Sequence, residues 1–464
     1  MDTKDRHFHF IAAGGVGMSA LAKYLIERGY RVSGSDISES KYTKMLQNMG
    51  AEITIGHDPN VIKKGMTIVV SSAIHRDNPE LVRAEELNLP ILHRSDMLLE
   101  ISKEFSENKD AVFFGFSGTH GKTTTSGLCS FLLNKSGHNP SYAVGGTIQN
   151  IGNNSAFGSE KIFVAELDES DGTIVKYRPD VNVINNLSFD HPDFYKNGMS
   201  DILKTFAQYI NNTDKDAIVV TNNDNDGCKD LLEMIDDRKT VTFAVKNDAV
   251  YMAKNIIFDG FSSKFDVYKH NEKLCAIELS VPGEHNVYNA LAVFAALDVK
   301  GFNPCSMLAY FKEFTGMGRR FQQKAKFNGI TVIDDYAHHP EEIKTTLNAL
   351  SGYKKGRVIA VFQPHRFSRL QRFWNEFLTA FDFADKLVVT DVYYASEEPI
   401  EGVNSEAFSK ELTHKNSEYI SGDISHVAEI LYHELKQGDV VITLGAGTIT
   451  KLGDELLKIS GVNK

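Results

Sequence analysis

The stretch Ala111-Val112-Phe113-Phe114-Gly115-Phe116-Ser117-Gly118-Thr119-His120-Gly121-Lys122-Thr123-Thr124 decides the fold. An apolar strand, Ala111 to Phe114, enters a glycine-rich turn, and helical spacing follows from Thr123 to Leu133, with Gly137 beyond it. A turn of this kind gathers backbone N–H groups around one point, and the helix adds its positive N-terminal end. Lys122 has the reach for β- and γ-phosphates, and the Thr123 hydroxyl suits Mg²⁺. Gly118, Thr119, His120, Gly121, Lys122, Thr123 and Thr124 are therefore expected to line a nucleoside triphosphate site. The strict pattern asks for glycine five residues before Gly121, but the chain has Phe116 there, between Gly115 and Gly118. The turn reads as a shortened variant.

Two apolar strands follow in the same unit. Ile162 to Ala165 ends in Glu166-Leu167-Asp168-Glu169-Ser170-Asp171, and Val181 to Ile184 runs into Asn185-Asn186-Leu187-Ser188-Phe189-Asp190-His191. Acids at the carboxyl ends of parallel strands sit where α/β folds place ligands. Mg²⁺ carried on phosphates needs only one or two protein oxygens beyond the hydroxyl, so an acid of the Glu166 to Asp171 stretch and His191 are candidate metal ligands beside Thr123.

Upstream, His7 to Ala12 is a strand entering Ala13-Gly14-Gly15-Val16-Gly17, with a helix from Met18 to Arg28 and a second strand closed by Ser35 and Asp36. Ala12-x-Gly14-x-x-Gly17 nearly matches the dinucleotide fingerprint, with Asp36 near the distance for a ribose contact. The expected ligand carries a diphosphate, and an NAD-type cofactor stays open at this point. Another apolar run, Thr67 to Val70, leads into Ser71 and Ser72. Ser102 to Asp110 is polar and charged and reads as a linker. Further on, strands and helices alternate again through Ile330 to Ile333, Arg357 to Phe362, Lys386 to Val389 and Val440 to Leu444. The fold class is α/β in three domains, with Rossmann-like outer domains around a P-loop-type centre, over residues 1–107, 108–316 and 317–464.

Composition narrows the function. A hydrophobic fraction of 42%, a charged fraction of 24% and a net charge of −11 argue against nucleic-acid or anionic-membrane partners. Cys129, Cys228, Cys275 and Cys305 show no Cys-x-x-Cys spacing and read as reduced, buried thiols. No apolar run approaches the roughly 20 residues of a membrane span, and the start Met1 to Arg6 has no signal-peptide character, so a cytoplasmic protein is expected.

The remaining motifs carry a resemblance. The central turn, the acid stretch and Asp190-His191 are followed by Gly283-Glu284-His285-Asn286-x-x-Asn289 and Gly318-Arg319-Arg320-Phe321. Then come Asp334-Asp335-Tyr336-Ala337-His338-His339-Pro340 and Gln363-Pro364-His365-Arg366-Phe367-Ser368-Arg369. In this order, over essentially the whole chain, they resemble the Mur ligases, ATP-dependent amide-forming enzymes of peptidoglycan precursor synthesis. Gly14-Gly15-Val16-Gly17-Met18-Ser19 and Ser33 to Asp36 are most similar to the alanine-adding branch.

The resemblance implies ATP and Mg²⁺ as cofactors, and UDP-N-acetylmuramate and L-alanine as small-molecule substrates of a monomer or homodimer. It implies Thr123, Glu166 and His191 as the magnesium site, Lys122, Glu166 and His191 as catalytic residues, and Asn286, Asn289, Arg320 and Asp335 as further ATP contacts. Gly14, Gly15, Gly17, Met18, Ser35, Asp36, Ser71 and Ser72 would meet the UDP-sugar, with His338, His339, His365, Arg366 and Arg369 facing the substrates from the third domain. Ala12 stands where the family usually has glycine. Phe206 stands where several members carry a carbamylated lysine, so that device is not expected here. Two alternatives remain at this stage: a sister ligase that adds a peptide, and an NAD-dependent oxidoreductase built on the first turn.

Overall fold

A computed structural model describes residues 6–191, 194–235, 237–353, 355–395 and 397–462. The polar start, residues 1–5, lies outside the described residues. Three sheets occur among them, and the helices joining their parallel strands cover the faces, as buried apolar strands require.

The first sheet contains β1 (His7–Ile11), β2 (Arg31–Asp36), β3 (Glu52–Ile55), β4 (Met66–Val70) and β5 (Ile91–His93). It is parallel throughout, in the order β3-β2-β1-β4-β5. The strand order reverses at β1, so the turn after it opens at the switch point where doubly wound sheets bind ligands.

The second sheet is built from β6 (Val112–Ser117), β7 (Ser141–Ile148), β8 (Asn153–Ala156), β9 (Ile162–Glu166), β10 (Val181–Ile184), β11 (Ile218–Asn222) and β12 (Lys239–Ala244). It continues through β13 (Tyr251–Asp259), β14 (Ser262–Lys269) and β15 (Glu272–Leu279). The order is β15-β14-β13-β12-β11-β10-β6-β9-β7-β8. β6 lies between β9 and β10, both parallel to it, which brings the phosphate turn and the two acid-bearing loops to one end of the sheet.

The third sheet has β16 (Gln322–Phe327), β17 (Ile330–Asp335), β18 (Val358–Phe362), β19 (Lys386–Val389), β20 (Ser417–Tyr419) and β21 (Val440–Leu444), in the order β16-β17-β21-β18-β19-β20. Only β16 runs antiparallel to its neighbour among the recorded pairings.

The chain divides into two compact units. One comprises Met1–Lys254, Asp266–Ala276 and Tyr288–Phe311; the other comprises Asn255–Phe265, Ile277–Val287 and Lys312–Lys464. Within the first unit the two sheets share a core, in which Phe8, Leu25 and Phe105 join Phe113, Phe163 and Phe206. The expected linker is part of the reason. Ser102 to Ser106 is the last turn of a helix, Arg94–Ser106, with Ile101, Ser102 and Phe105 buried and Lys103 and Glu104 exposed. Phe105 stacks on Phe163 at 4.9 Å between centroids. A high charge density here marks the solvent face of an amphipathic helix, and only the inward residues tell it from a linker.

Candidate active site

The phosphate turn follows from its glycines. Gly118 has φ 112° and Gly121 has φ 85°, left-handed values that cost other residues strain. Space forbids a side chain as well: a Cβ would lie 2.6 Å from the Asn186 carbonyl oxygen at Gly118 and 2.6 Å from Asn289 Oδ1 at Gly121. Phe116 is an interior residue of β6, fully buried, so the turn itself begins only at Gly118. The loop after β10 braces it. Asn186 Oδ1 accepts from the His120 N–H at 2.9 Å, the Asn186 carbonyl accepts from the Thr119 N–H at 2.9 Å, and Asn185 Nδ2 donates to Thr125 Oγ1 at 3.2 Å. The helix Lys122–Lys135 then points its N-terminus at the turn.

Around that terminus sits an acid cluster. Thr123 Oγ1 donates to Glu166 Oε1 at 3.0 Å, and Gly145 N–H donates to Glu166 Oε2 at 2.7 Å. Lys122 Nζ donates to the Gly118 and Thr119 carbonyls and, at 2.8 Å, to Glu169 Oε1. His191 Nε2 lies 3.9 Å from the same Glu169 oxygen. Burial alone would lower the Lys122 pKa, but Glu169, Asp168 and Glu166 outweigh it and raise it. Burial, with Asp168 beside it, pushes Glu169 up despite Lys122. Three carboxylates share one lysine, which raises Lys122, while burial is the main cause of the rise at Glu169.

A cleft runs from this cluster to the first glycine-rich turn, lined by Gly17, Arg94, Gly145, Glu166, Asp168 and Tyr177. Arg94 begins the helix Arg94–Ser106 and donates to Asp168 Oδ2 at 2.7 Å. Burial works to raise the Asp168 pKa, but Lys122 and Arg94 prevail and draw it down to about 2. At the turn, Gly14 N–H donates to Asp36 Oδ2 at 2.8 Å, and a Cβ on Gly14 would meet that same oxygen. Ser35 Oγ donates to the buried Glu80 at 2.5 Å. Met18 is buried in the shared core. Asp36 and Ser35 thus hold the turn's shape, while Gly17 lines the cleft and Ser72, in the loop after β4, is exposed.

The second unit gathers its own cluster. Asp335, at the end of β17, accepts from the Phe321 and Ala337 N–H groups at 2.7 and 2.8 Å, and burial raises its pKa to about 6. His338 Nδ1–H donates to the Tyr336 carbonyl at 2.8 Å, and the His338 and His365 rings lie 5.9 Å apart. Arg369 donates to His365 Nδ1 at 3.0 Å. Burial, together with neighbouring charge, depresses His338 to about 4 and His365 to about 3, so both are neutral at pH 7. Arg320 stacks over Tyr336, 5.2 Å from its centroid, and lies 3.7 Å from Glu342. Its neighbour Arg319 clamps the carbonyls of Gly445, Ala446 and Gly447 at 2.7–3.2 Å. His339 caps the helix Pro340–Asn348, and Arg366 precedes the helix Phe367–Arg372 with φ 70°.

Three family models match in chain order: Mur ligase family, catalytic domain over residues 7–106; Mur ligase middle domain over 116–297; and Mur ligase, glutamate ligase domain over 319–447. A protein of Geotalea daltonii named UDP-N-acetylmuramate–L-alanine ligase is 39% identical over 457 residues, covering 98% of each chain. One of the same name from Dictyoglomus turgidum is 40% identical, covering 97% of this chain and 96% of its own. The chain belongs to the Mur ligase family. Its fold matches the crystal structure of a UDP-N-acetylmuramate–alanine ligase from Thermotoga maritima with a TM-score of 0.84 and 28% identity, covering 98% of this chain and 99% of that one.

In this Mur ligase the sequence-predicted residues of the first unit assemble as one site: the turn from Gly118 to Thr124, Glu166, His191 and Asn289 converge on the N-terminus of one helix. Asn286 and Asn289 share the helix Glu284–Val299, three residues apart. The arrangement also holds residues that the motifs did not single out. Arg94 was hidden in the run His93-Arg94-Ser95, where nothing marks an anion ligand, and Glu169 was one acid among several. Asn185 and Asn186 were visible only as polar residues after a strand, although such positions do carry ligands.

The donor set fits Mg²⁺: a hydroxyl and a carboxylate in contact, and a buried Glu169 Oε2 with no hydrogen-bond partner among the described residues. The described residues contain no group of three or more His, Cys, Asp or Glu placed to cage a metal, which suits an ion that keeps waters and phosphate oxygens among its ligands. Phe206 is fully buried and packs edge-on against Tyr209.

Proposed function

We infer that this Mur ligase joins L-alanine to the lactyl carboxylate of UDP-N-acetylmuramate, with ATP as the activating substrate, in peptidoglycan precursor synthesis. The observation that carries this reading is the single cleft that reaches from Gly17 and Arg94 at the first turn to Glu166 beside Thr123 and Lys122 at the second. A diphosphate anchored at the first turn leaves the rest of its substrate directed at a phosphoryl-transfer site. The names of the near-full-length relatives support the identity of the acid and the amine.

A carboxylate does not accept an amine directly, because oxide is too poor a leaving group. The substrate carboxylate attacks the γ-phosphorus of ATP, giving an acyl phosphate and ADP. The amino group of L-alanine then attacks the acyl carbon, and phosphate leaves from the tetrahedral intermediate. Lys122 releases Glu169 and turns to the transferring phosphoryl group, while the N–H groups of the turn hold the β-phosphate. Arg94 neutralises charge along the cleft. Thr123 and Glu166, with His191 near them, would hold Mg²⁺, which would supply charge neutralisation on the phosphates. We assign the UDP-sugar to residues 1–107, ATP to 108–316 with Arg320 and Asp335, and L-alanine to 317–464, where His338, His339, His365, Arg366 and Arg369 face the substrates. No helix among the described residues is long and apolar enough to cross a membrane. A cytoplasmic location follows from the supply of ATP.

Phosphate release with UDP-N-acetylmuramate is the direct test, run against L-alanine, glycine, L-serine and a tripeptide. Release stimulated by L-alanine above the other amino acids is expected. Release with the tripeptide but with no amino acid would replace this reading by the peptide-adding one. Glu166→Ala is expected to raise the Mg²⁺ concentration at half-maximal turnover about tenfold; an unchanged titration removes Glu166 from the metal site.

A further inference from the structure

The four cysteines fall into two kinds. Cys129 and Cys228 are fully buried, and burial pushes both thiols up, Cys228 to about 11. Cys275 and Cys305 are only half-buried, and although they stand 30 positions apart their sulfurs lie 2.7 Å from each other. Cys275 is on β15; Cys305 is in the short turn of helix Pro304–Met307 that follows the helix Glu284–Val299.

We propose that Cys275 and Cys305 are a redox-modifiable pair, closed to a disulfide by exchange with a low-molecular-weight disulfide. In the first step one thiol, as its thiolate, attacks the external disulfide; a mixed disulfide forms and one small thiol leaves. In the second, the neighbouring thiol attacks the protein sulfur of that mixed disulfide and expels the second small thiol. Two protein thiols are oxidised, one external disulfide is reduced to two thiols, and the two protons pass to the leaving groups. The second step is intramolecular between groups already in contact, so it outpaces attack by free thiol.

The surroundings set the rate and the consequence. Burial together with Cys305, Asp266 and Asp298 holds the Cys275 thiol protonated well above the ordinary thiol range. Lys273 pairs with Asp266 at 2.8 Å, and Lys269 and Tyr251 both donate to Asp298. Attack that begins at Cys275 is therefore slow at neutral pH and quickens as pH rises. The ring it forms encloses the helix Glu284–Val299, whose Asn289 lies against Gly121, so the crosslink stiffens the element behind the phosphate turn.

The test equilibrates the full-length protein with glutathione disulfide, quenches with iodoacetamide after unfolding, and maps peptides by mass spectrometry. The expected product has lost two alkylatable thiols and two hydrogens, links the Cys275 and Cys305 peptides, and melts about 5 °C higher than the reduced protein. Cys305→Ser is expected to stop at a glutathione adduct on Cys275 or to remain unmodified. Four thiols still alkylated in the wild-type protein, a stable mixed disulfide there, or a crosslink that persists in Cys305→Ser would each overturn the proposal.

Discussion

Lys122 is held in the structure by Glu169 and by the carbonyls of its own turn, so in the proposed function phosphate binding would exchange one anionic partner for another rather than desolvate a free ammonium. Lys122→Ala is expected to lower turnover about 10²–10³-fold, the scale of losing a positioned charge at the transferring group. Its circular dichroism should stay native, because Glu169 can take a proton once its partner is gone. Near-wild-type turnover would remove Lys122 from the chemistry. Ala12 illustrates a different residue-level effect. It occupies the left-handed region, φ 64°, at the end of β1, where its Cβ crowds the backbone. Ala12→Gly relieves that strain and loosens the unfolded chain, two opposed effects whose balance is a gain of about 0.5–1 kcal/mol. Denaturant melts of the pair measure it, and a loss of stability would show that Ala12 is not strained.

At the scale of elements, the helix Arg94–Ser106 supports both sheets of the first unit while its first residue reaches the cleft. Phe105 is 7% exposed and stacks on Phe163, so Phe105→Ala is expected to destabilise by about 3–5 kcal/mol. A loss under about 1 kcal/mol would restore the reading of this segment as a linker. Six of the strands that are legible in sequence share one property: β1, β6, β9, β10, β18 and β21 are near-continuous runs buried on both faces. Several that escape notice are weakly buried or mixed in character. β3 and β20 are short and only partly buried or exposed, and β13 to β15 mix charged and apolar residues because one face meets water. Periodicity cannot separate such strands from loops.

For the whole molecule, acid is the informative perturbation. His338 and His365 are neutral in the folded protein, with pKa values near 4 and 3 against an ordinary 6.5. The unfolded chain takes up these protons first, so folded stability falls as pH drops from about 6.5 towards 3–4, by on the order of 3 kcal/mol per group. Arg366, Arg369 and Arg319 contribute to the depression at His365, so the effect belongs to the cluster. Thermal melts between pH 7 and 4.5 are expected to show this slope, and His365→Asn to flatten it. An equal slope in that variant would assign acid sensitivity elsewhere.

Sequence alone determined the α/β class, the order of the motifs, the family and the glycine-rich turn between β6 and the helix that follows it. These depend on local rules: apolar runs, glycines where φ must be positive, and a lysine and threonine at the start of a helix. Only the tertiary structure decided that Lys122 rests on Glu169, that Arg94 lines the cleft with Glu166, that the first two sheets share one core, and that Cys275 meets Cys305. Each of these joins residues distant in the chain, and no local periodicity encodes which strands lie side by side. The packing of the sheets brings those partners together, and with them the charge balance on which the site depends.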